Sequence, residues 1–176
     1  MTQLEKPVLT KKIYEDILYD KCFTYNFSDQ PTILYARPSI IDGTANIYPG
    51  SFNPLHFGHL YIQQTSCAIF EVSISRLNKE PYSFEEISDI INQFVFLKKV
   101  FIISNNPLMK DKKYFRNQTI VMGEDTYNKI DKKDLSILTD IIVFKRDKNI
   151  ESNVRFMGVP EYLTKISSTQ IRNSTE

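Results

Sequence analysis

Ala45-Asn46-Ile47-Tyr48-Pro49-Gly50-Ser51-Phe52-Asn53-Pro54-Leu55-His56-Phe57-Gly58-His59 is the stretch on which the reading of this chain turns. Ala45–Tyr48 reads as a short strand ended by Pro49-Gly50. A helix is expected from about Phe57 to Phe70, with Leu60, Ile62, Ala68 and Ile69 on its apolar faces. The chain has two histidines and both fall here, together with two of its five glycines. Gly50 lets backbone approach a ligand closely, and Pro54 fixes the loop just before the helix. Residues three apart on a helix share a face, so His56 and His59 project together from the first turn. Helix N-termini carry unpaired amides and partial positive charge, which makes an anion site. Two imidazoles there can donate hydrogen bonds to phosphate oxygens, and Gly58 between them leaves room for a nucleotide against the backbone. Two blander readings compete: a structural pair at a helix start, and a metal site on His56 and His59, which has no nearby cysteine or carboxylate to complete its ligand set.

Outward from this turn the pattern alternates. Upstream, Lys11–Asp20 is a short helix and Thr32–Arg37 a strand, within an N-terminal extension (1–43) expected to pack on the core. Downstream, Glu71–Ser75 reads as a strand. A helix starts at Ser83, with Ser83 as N-cap, Glu86 at the capping-box position and Ile87, Ile90, Ile91 and Phe94 at helical spacing. Val100–Ile103, Thr119–Met122 and Ile141–Phe144 are apolar runs of buried-strand type, and Val154–Met157 is a further strand candidate. Strands alternating with helices imply an α/β fold: a Rossmann-like parallel sheet with helices on both faces, spanning 44–176, plus the extension. Ligands of such sheets bind beyond the carboxyl ends of the strands.

Composition narrows the partners. The chain of 176 residues is 41% hydrophobic and 24% charged, an ordinary globular balance, and its net charge of +1 shows no basic excess. Neither nucleic acid nor a membrane is therefore an expected partner; a small substrate is, and homo-oligomer formation is compatible with all of this. Cys22 and Cys67 are too few for a disulfide framework or a cysteine-rich metal site, and the reducing cytoplasm is the simpler location. The N-terminus has no apolar signal core, and no run approaches the ~18 apolar residues of a membrane span.

Tyr48–His59 resembles the HxGH signature of the nucleotidylyltransferase superfamily, which includes nicotinamide-mononucleotide and phosphopantetheine adenylyltransferases. Ile166-Ser167-Ser168-Thr169-Gln170-Ile171-Arg172 is similar to that superfamily's second signature, ISSTxxR. Val121-Met122-Gly123-Glu124-Asp125-Thr126 is similar to the G-x-D segment of the nicotinate and nicotinamide enzymes. The resemblance spans roughly residues 45 to 173, about three quarters of the chain. It implies that His56, His59 and Arg172 act in catalysis. It further implies that Gly50, Ser51, Phe52, Gly58, Gly123, Asp125, Ser167, Ser168 and Thr169 hold the nucleotide, Asp125 at its ribose. Ser104, Asn105 and Tyr127 are implied at the acceptor, with Tyr114 and Phe115 as further aromatic groups able to stack on a base. Physically, Ser167, Ser168 and Thr169 are natural caps at a helix start, and Arg172 about one turn on offers a planar fork to β- and γ-phosphates. The alternative is that the Ser-Ser-Thr run only caps a final helix.

The implied reaction is attack of a substrate phosphate on the α-phosphorus of ATP with release of pyrophosphate. The nucleophile is already an anion, so catalysis reduces to positioning and charge stabilisation. Mg²⁺ is expected to ride mainly on the phosphates, with no protein metal site. The chain departs from the pattern in having no tryptophan to stack on a pyridine ring. The RTxGxxT pattern of cytidylyltransferases is absent, which favours ATP over CTP, and His56 stands where the phosphopantetheine enzymes have Thr. Nicotinamide or nicotinate mononucleotide is the expected acceptor. A cytidylyltransferase for a headgroup phosphate and a nucleotide-binding regulatory module without turnover are the alternatives.

Overall fold

Buried strands present successive side chains to opposite faces of a sheet, and the apolar runs of this chain divide in that way. The computed structural model describes residues 9–20, 23–26, 33–36, 41–138, 140–145, 155–158 and 171. Its strands are β1 (Phe23–Asn26), β2 (Ile33–Ala36), β3 (Ile41–Pro49), β4 (Ile69–Ser73), β5 (Phe101–Ser104), β6 (Phe115–Gly123), β7 (Ile141–Lys145) and β8 (Arg155–Gly158). They form one sheet in the order β2-β1-β5-β4-β3-β6-β7-β8. All pairs from β5 across to β8 are parallel, whereas β1 pairs antiparallel with β5 and with β2. From β3 the chain winds outward through β4 and β5, then crosses to the other side of β3 and continues through β6, β7 and β8. This is the doubly wound, Rossmann-like order, and the winding reverses between β3 and β6.

The helices are α1 (Lys11–Asp20), α2 (Phe57–Ser66), α3 (Phe84–Phe96), α4 (Glu124–Lys129) and α5 (Lys132–Ile137). On one face Tyr48, Phe70, Val72, Phe101, Ile103, Val121 and Phe144 meet Ile17 of α1, Ile62 of α2, and Ile87, Ile90, Ile91 and Phe94 of α3. On the other face their neighbours Ile47, Ile102, Ile120, Met122 and Val143 meet Tyr127 of α4 and Leu135 of α5. Helices thus cover both faces, as the alternation requires.

Local chemistry sets the element ends. α3 starts as expected: Ser83 Oγ accepts from Glu86 N at 3.1 Å, and Glu86 Oε1 accepts from Ser83 N at 3.1 Å. α2 stops at Ser66, short of the Phe70 read from the sequence, because Cys67 adopts a left-handed conformation at φ 52°. Gln63 Nε2 then caps the turn by donating to Ala68 O at 3.0 Å. Ile69 and Phe70 accordingly open β4, paired with β3 and β5, instead of finishing the helix. β3 likewise begins at Ile41 rather than Ala45. α1 has the bounds read from sequence; Ile17 is fully buried and the Tyr14 hydroxyl donates to Tyr82 O at 2.6 Å. Among the described residues no helix is long and apolar enough to cross a membrane.

Candidate active site

His56 is the N-cap of α2, and its extended backbone turns its side chain back over the first helical amides. Nδ1 of His56 accepts from Gly58 N at 3.1 Å and His59 N at 3.4 Å, while Nδ1 of His59 accepts from His56 N at 3.2 Å. The two imidazoles therefore form a reciprocal capping box, the role that Ser/Thr and Glu usually share. Their rings stack, with centroids 3.6 Å apart and planes 17° apart. Backbone N–H groups only donate, so each Nδ1 must carry a lone pair and each Nε2 the proton. Burial, and then the neighbouring His56, push the His59 pKa down to about 3. The ring is thus neutral at pH 7, and the turn presents imidazole N–H groups where the α2 dipole favours an anion.

The loop before the helix is braced from below. Phe52 is 1% exposed and its ring packs edge-on to His59 (5.0 Å), Phe70 (4.8 Å) and Phe94 (5.6 Å). Its backbone is left-handed at φ 47°, which costs about 1–2 kcal/mol for a non-glycine residue. Burying the phenyl ring contributes about 2–3 kcal/mol, so burial wins. Gly50 is required by the same ring: a Cβ there would lie 2.7 Å from Phe52 Cζ. Gln93 of α3 holds both ends of the loop, its Nε2 donating to Phe52 O at 2.8 Å and its Oε1 accepting from Leu55 N at 2.8 Å.

Beyond the carboxyl ends of β3, β4 and β5 opens a cleft of about 530 Å³, whose walls include Gly50, Ser51, Asn53, Glu71, Arg76, Lys79, Lys112 and Thr126. Its floor is a buried polar network centred on Glu71, which is 0% exposed. Lys112 Nζ donates to Glu71 Oε2 at 2.8 Å and to Asn106 O at 2.5 Å, and the Tyr114 hydroxyl lies 3.1 Å from Glu71 Oε1. The Ser104 hydroxyl also donates to Glu71. Burial, and then the Glu71 charge, raise the Tyr114 phenol well above its ordinary value, so it stays a donor.

The residues read from sequence distribute unevenly over this site. Gly50 and Ser51 line the cleft, and His56, Gly58 and His59 build the turn. Phe52 supplies core packing, so only its backbone is in a position to meet a nucleotide. Gly123 is the N-cap of α4, with nothing within 4 Å of a would-be Cβ, and Asp125 is exposed in the first turn. Ser104 is fully buried under Glu71, and Asn105 Nδ2 donates to Leu18 O at 2.9 Å, tying β5 to α1. Tyr127 packs against the core on the face away from α2 and α3. Tyr114 and Phe115, 1% and 4% exposed, are core residues and cannot stack on a base. Ser167, Ser168, Thr169 and Arg172 lie outside the described residues. Ile171, beside Arg172, is described; it lines a second, apolar hollow with Leu55, His56, Phe57 and Leu60. Sequence reasoning missed Glu71, Arg76, Lys79 and Lys112, although two basic residues closely following a strand end were a usable signal.

A family model described as cytidylyltransferase-like matches residues 47–174, the span that holds the turn and the cleft. A curated relative, the probable nicotinate-nucleotide adenylyltransferase of Hydrogenobaculum sp., is 24% identical over 159 residues, covering 71% of this chain and 82% of that protein. Among solved structures, the Plasmodium falciparum nicotinic acid mononucleotide adenylyltransferase complexed with NaAD is 19% identical with a TM-score of 0.49. The same enzyme complexed with APC gives 17% and 0.45. Each of these matches covers 74% of this chain and 82% of that one. The chain belongs to the cytidylyltransferase-like family of nucleotidyltransferases.

Proposed function

We propose that this enzyme transfers AMP from ATP to nicotinate or nicotinamide mononucleotide and releases pyrophosphate. The observation that carries the reading is the reciprocal capping of His56 and His59, which fixes both rings as Nε2–H donors at a helix N-terminus. In the reaction an oxygen of the acceptor phosphate attacks the α-phosphorus, the bond to the β-phosphate oxygen breaks, and pyrophosphate leaves with its electron pair. Charge grows on the non-bridging α-oxygens and the leaving oxygen, where prearranged donors are worth most. His56 and His59 serve the α-phosphate, Gly50 and Ser51 the backbone approach, and Asp125 the ribose. Ser167, Ser168, Thr169 and Arg172 serve the β- and γ-phosphates.

The donors of this site are N–H groups and cations, which suit phosphate oxygens rather than a dication. Among the described residues no group of three or more His, Cys, Asp or Glu is placed to hold a metal. Mg²⁺ fits here as a passenger on the triphosphate, supplying charge neutralisation when bound. Such a reaction belongs in the cytoplasm, where ATP is supplied.

The choice of acceptor rests on the Ser51-Phe52-Asn53-Pro54 wording, the ISSTxxR ending, Gly123-Glu124-Asp125 and the name of the curated relative. The family description favours one second reading, CTP with a headgroup phosphate. The test is pyrophosphate release with Mg²⁺, ATP or CTP, and a panel of nicotinate mononucleotide, nicotinamide mononucleotide and headgroup phosphates. Turnover with ATP and a pyridine mononucleotide is the expected outcome. Turnover only with CTP, or only with another acceptor, overturns it.

A further inference from the structure

The apolar hollow behind the histidine turn has a rim of exposed hydrophobic side chains. It measures about 670 Å³ and lies between the first turn of α2 and the C-terminal half of α3, where Leu55, Phe57, Leu60, Leu97 and Ile171 line it. Asp89 is the one charged residue of its lining among the described residues, so no cation is at hand there for a phosphate. Phe96, at the end of α3, is 85% exposed, and Phe57, at the start of α2, is 73% exposed. Leu97 beside them is exposed too. Single exposed apolar side chains are ordinary, whereas adjoining ones around a concavity mark an interaction surface.

The charges of α3 are ordered along the same face. Glu85, Asp89, Asn92 and Phe96 follow one another by four, three and four residues and are all exposed, so they form one stripe. The helix then closes in a tight turn: Lys98 N donates to Val95 O at 3.1 Å and Lys99 N to Phe94 O at 2.8 Å, with Lys98 left-handed at φ 54°. The stripe is therefore acidic toward its N-terminus, aromatic at its C-terminus and basic just beyond, at the exposed Lys98. A two-fold axis pairs residue i of one copy with residue j of the other, and j with i. Two α3 helices set antiparallel across such an axis bring acidic end against basic end twice. The same operation offers the protruding phenyl of each copy to the hollow of the other. The net charge of +1 leaves no strong long-range repulsion between copies.

We propose that this face is the interface of a homodimer, in which Phe96 of each chain enters the hollow of the other and Asp89 meets Lys98 of the partner subunit. The inference does not depend on the proposed reaction. It bears on the site all the same, because His56 and Gln93 line the same hollow, so the contact backs the loop that aims the histidines.

The test is sedimentation equilibrium of the full chain over a concentration series, for wild type, F96E, D89K, K98E and the double variant D89K/K98E. Wild type is expected to sediment at the mass of two chains. F96E puts a charge in place of a central aromatic anchor twice per dimer, and should raise the dissociation constant by about a hundredfold or more. D89K and K98E each set like charges against one another at both ends of the contact, and each should weaken the dimer about three- to tenfold. The double variant exchanges the two signs and should return to within about threefold of wild type. Phe96, Asp89 and Lys98 are all exposed, so none of these substitutions enters the core, and the charge exchange keeps the test valid if F96E disturbs α3. A dimer untouched by F96E overturns the proposal, as does a double variant weaker than either single one. A wild type that stays monomeric at every concentration overturns it as well. The melting temperature of F96E then separates the other occupants: a fall assigns the hollow to residues 172–176 of the same chain, and no change assigns it to a different protein.

Discussion

In the proposed reaction each imidazole of the turn has two jobs on two nitrogens, and a substitution can separate them. Asn at position 56 keeps a side-chain acceptor for the α2 amides, which is what an N-cap needs, but cannot reach where Nε2–H stands. H56N is therefore expected to melt close to wild type yet lose ~10²–10³ in kcat, the usual cost of one transition-state donor. H56A loses the cap as well, about 1 kcal/mol further. Near-normal turnover in H56N would withdraw His56 from the chemistry. His59 makes a pH prediction. Its folded pKa of about 3 lies below the ordinary imidazole value of 6.5, so the unfolded chain takes up the proton first. The neutral ring's contribution is fully present above pH 6.5 and is lost as pH falls from there through about 3. Carboxylates add their own acid limb, so the informative quantity is the difference between wild type and H59Q. The variant's melting temperature should fall less steeply across that window, and identical slopes would exclude His59 as the titrating group.

At the scale of elements, α3 is as much part of the site as α2, because Gln93 grips the backbone on both sides of the Asn53-Pro54 segment. Q93A removes two hydrogen bonds, about 1 kcal/mol each, and releases the loop that aims the histidines. Stability should drop by roughly 2 kcal/mol while kcat falls and ATP affinity changes little; wild-type kcat in Q93A would show that the loop holds its shape unaided. Nothing in the sequence marks this contact, since Gln93 and Phe52 are 41 residues apart. What was legible is what local chemistry writes: the Ser83–Glu86 cap, the period of α3, the bounds of α1 and the strand–turn–helix around His56. What was not legible depends on distant pairing. The Ala68-Ile69-Phe70 run suits a helix or a strand, and β3 and β5 decide it. The short polar α4 and α5 carry too few apolar residues to show a helical period, and those few pack in one cluster with Met122 and Val143 of the sheet. Aromatic content gave Tyr114 a stacking role, yet the partner that buries it, Glu71, lies 43 residues away.

Across the whole molecule, the doubly wound order gathers loops far apart in sequence at one edge of the sheet. Ile171 lies in the same region as the histidine turn, sharing a hollow with His56, Phe57 and Leu60. A ligand that binds only when both segments are in place must stabilise the fold by RT ln(1 + [L]/Kd), about 2.7 kcal/mol at a hundred times Kd. For a chain of this size 1 kcal/mol shifts the melting temperature by roughly 2–4 °C, so saturating ATP–Mg²⁺ should raise it by about 5–10 °C in wild type. On the proposed function, Arg172→Ala removes a contact made only with the triphosphate. Its melting temperature without nucleotide should therefore match wild type, while most of the ATP-dependent rise disappears along with turnover. The comparison separates binding from folding within one protein: a lower baseline with an intact rise would make Arg172 structural. A full rise at a normal baseline would place the triphosphate away from Arg172 and break the pairing of the two motifs across the sheet edge.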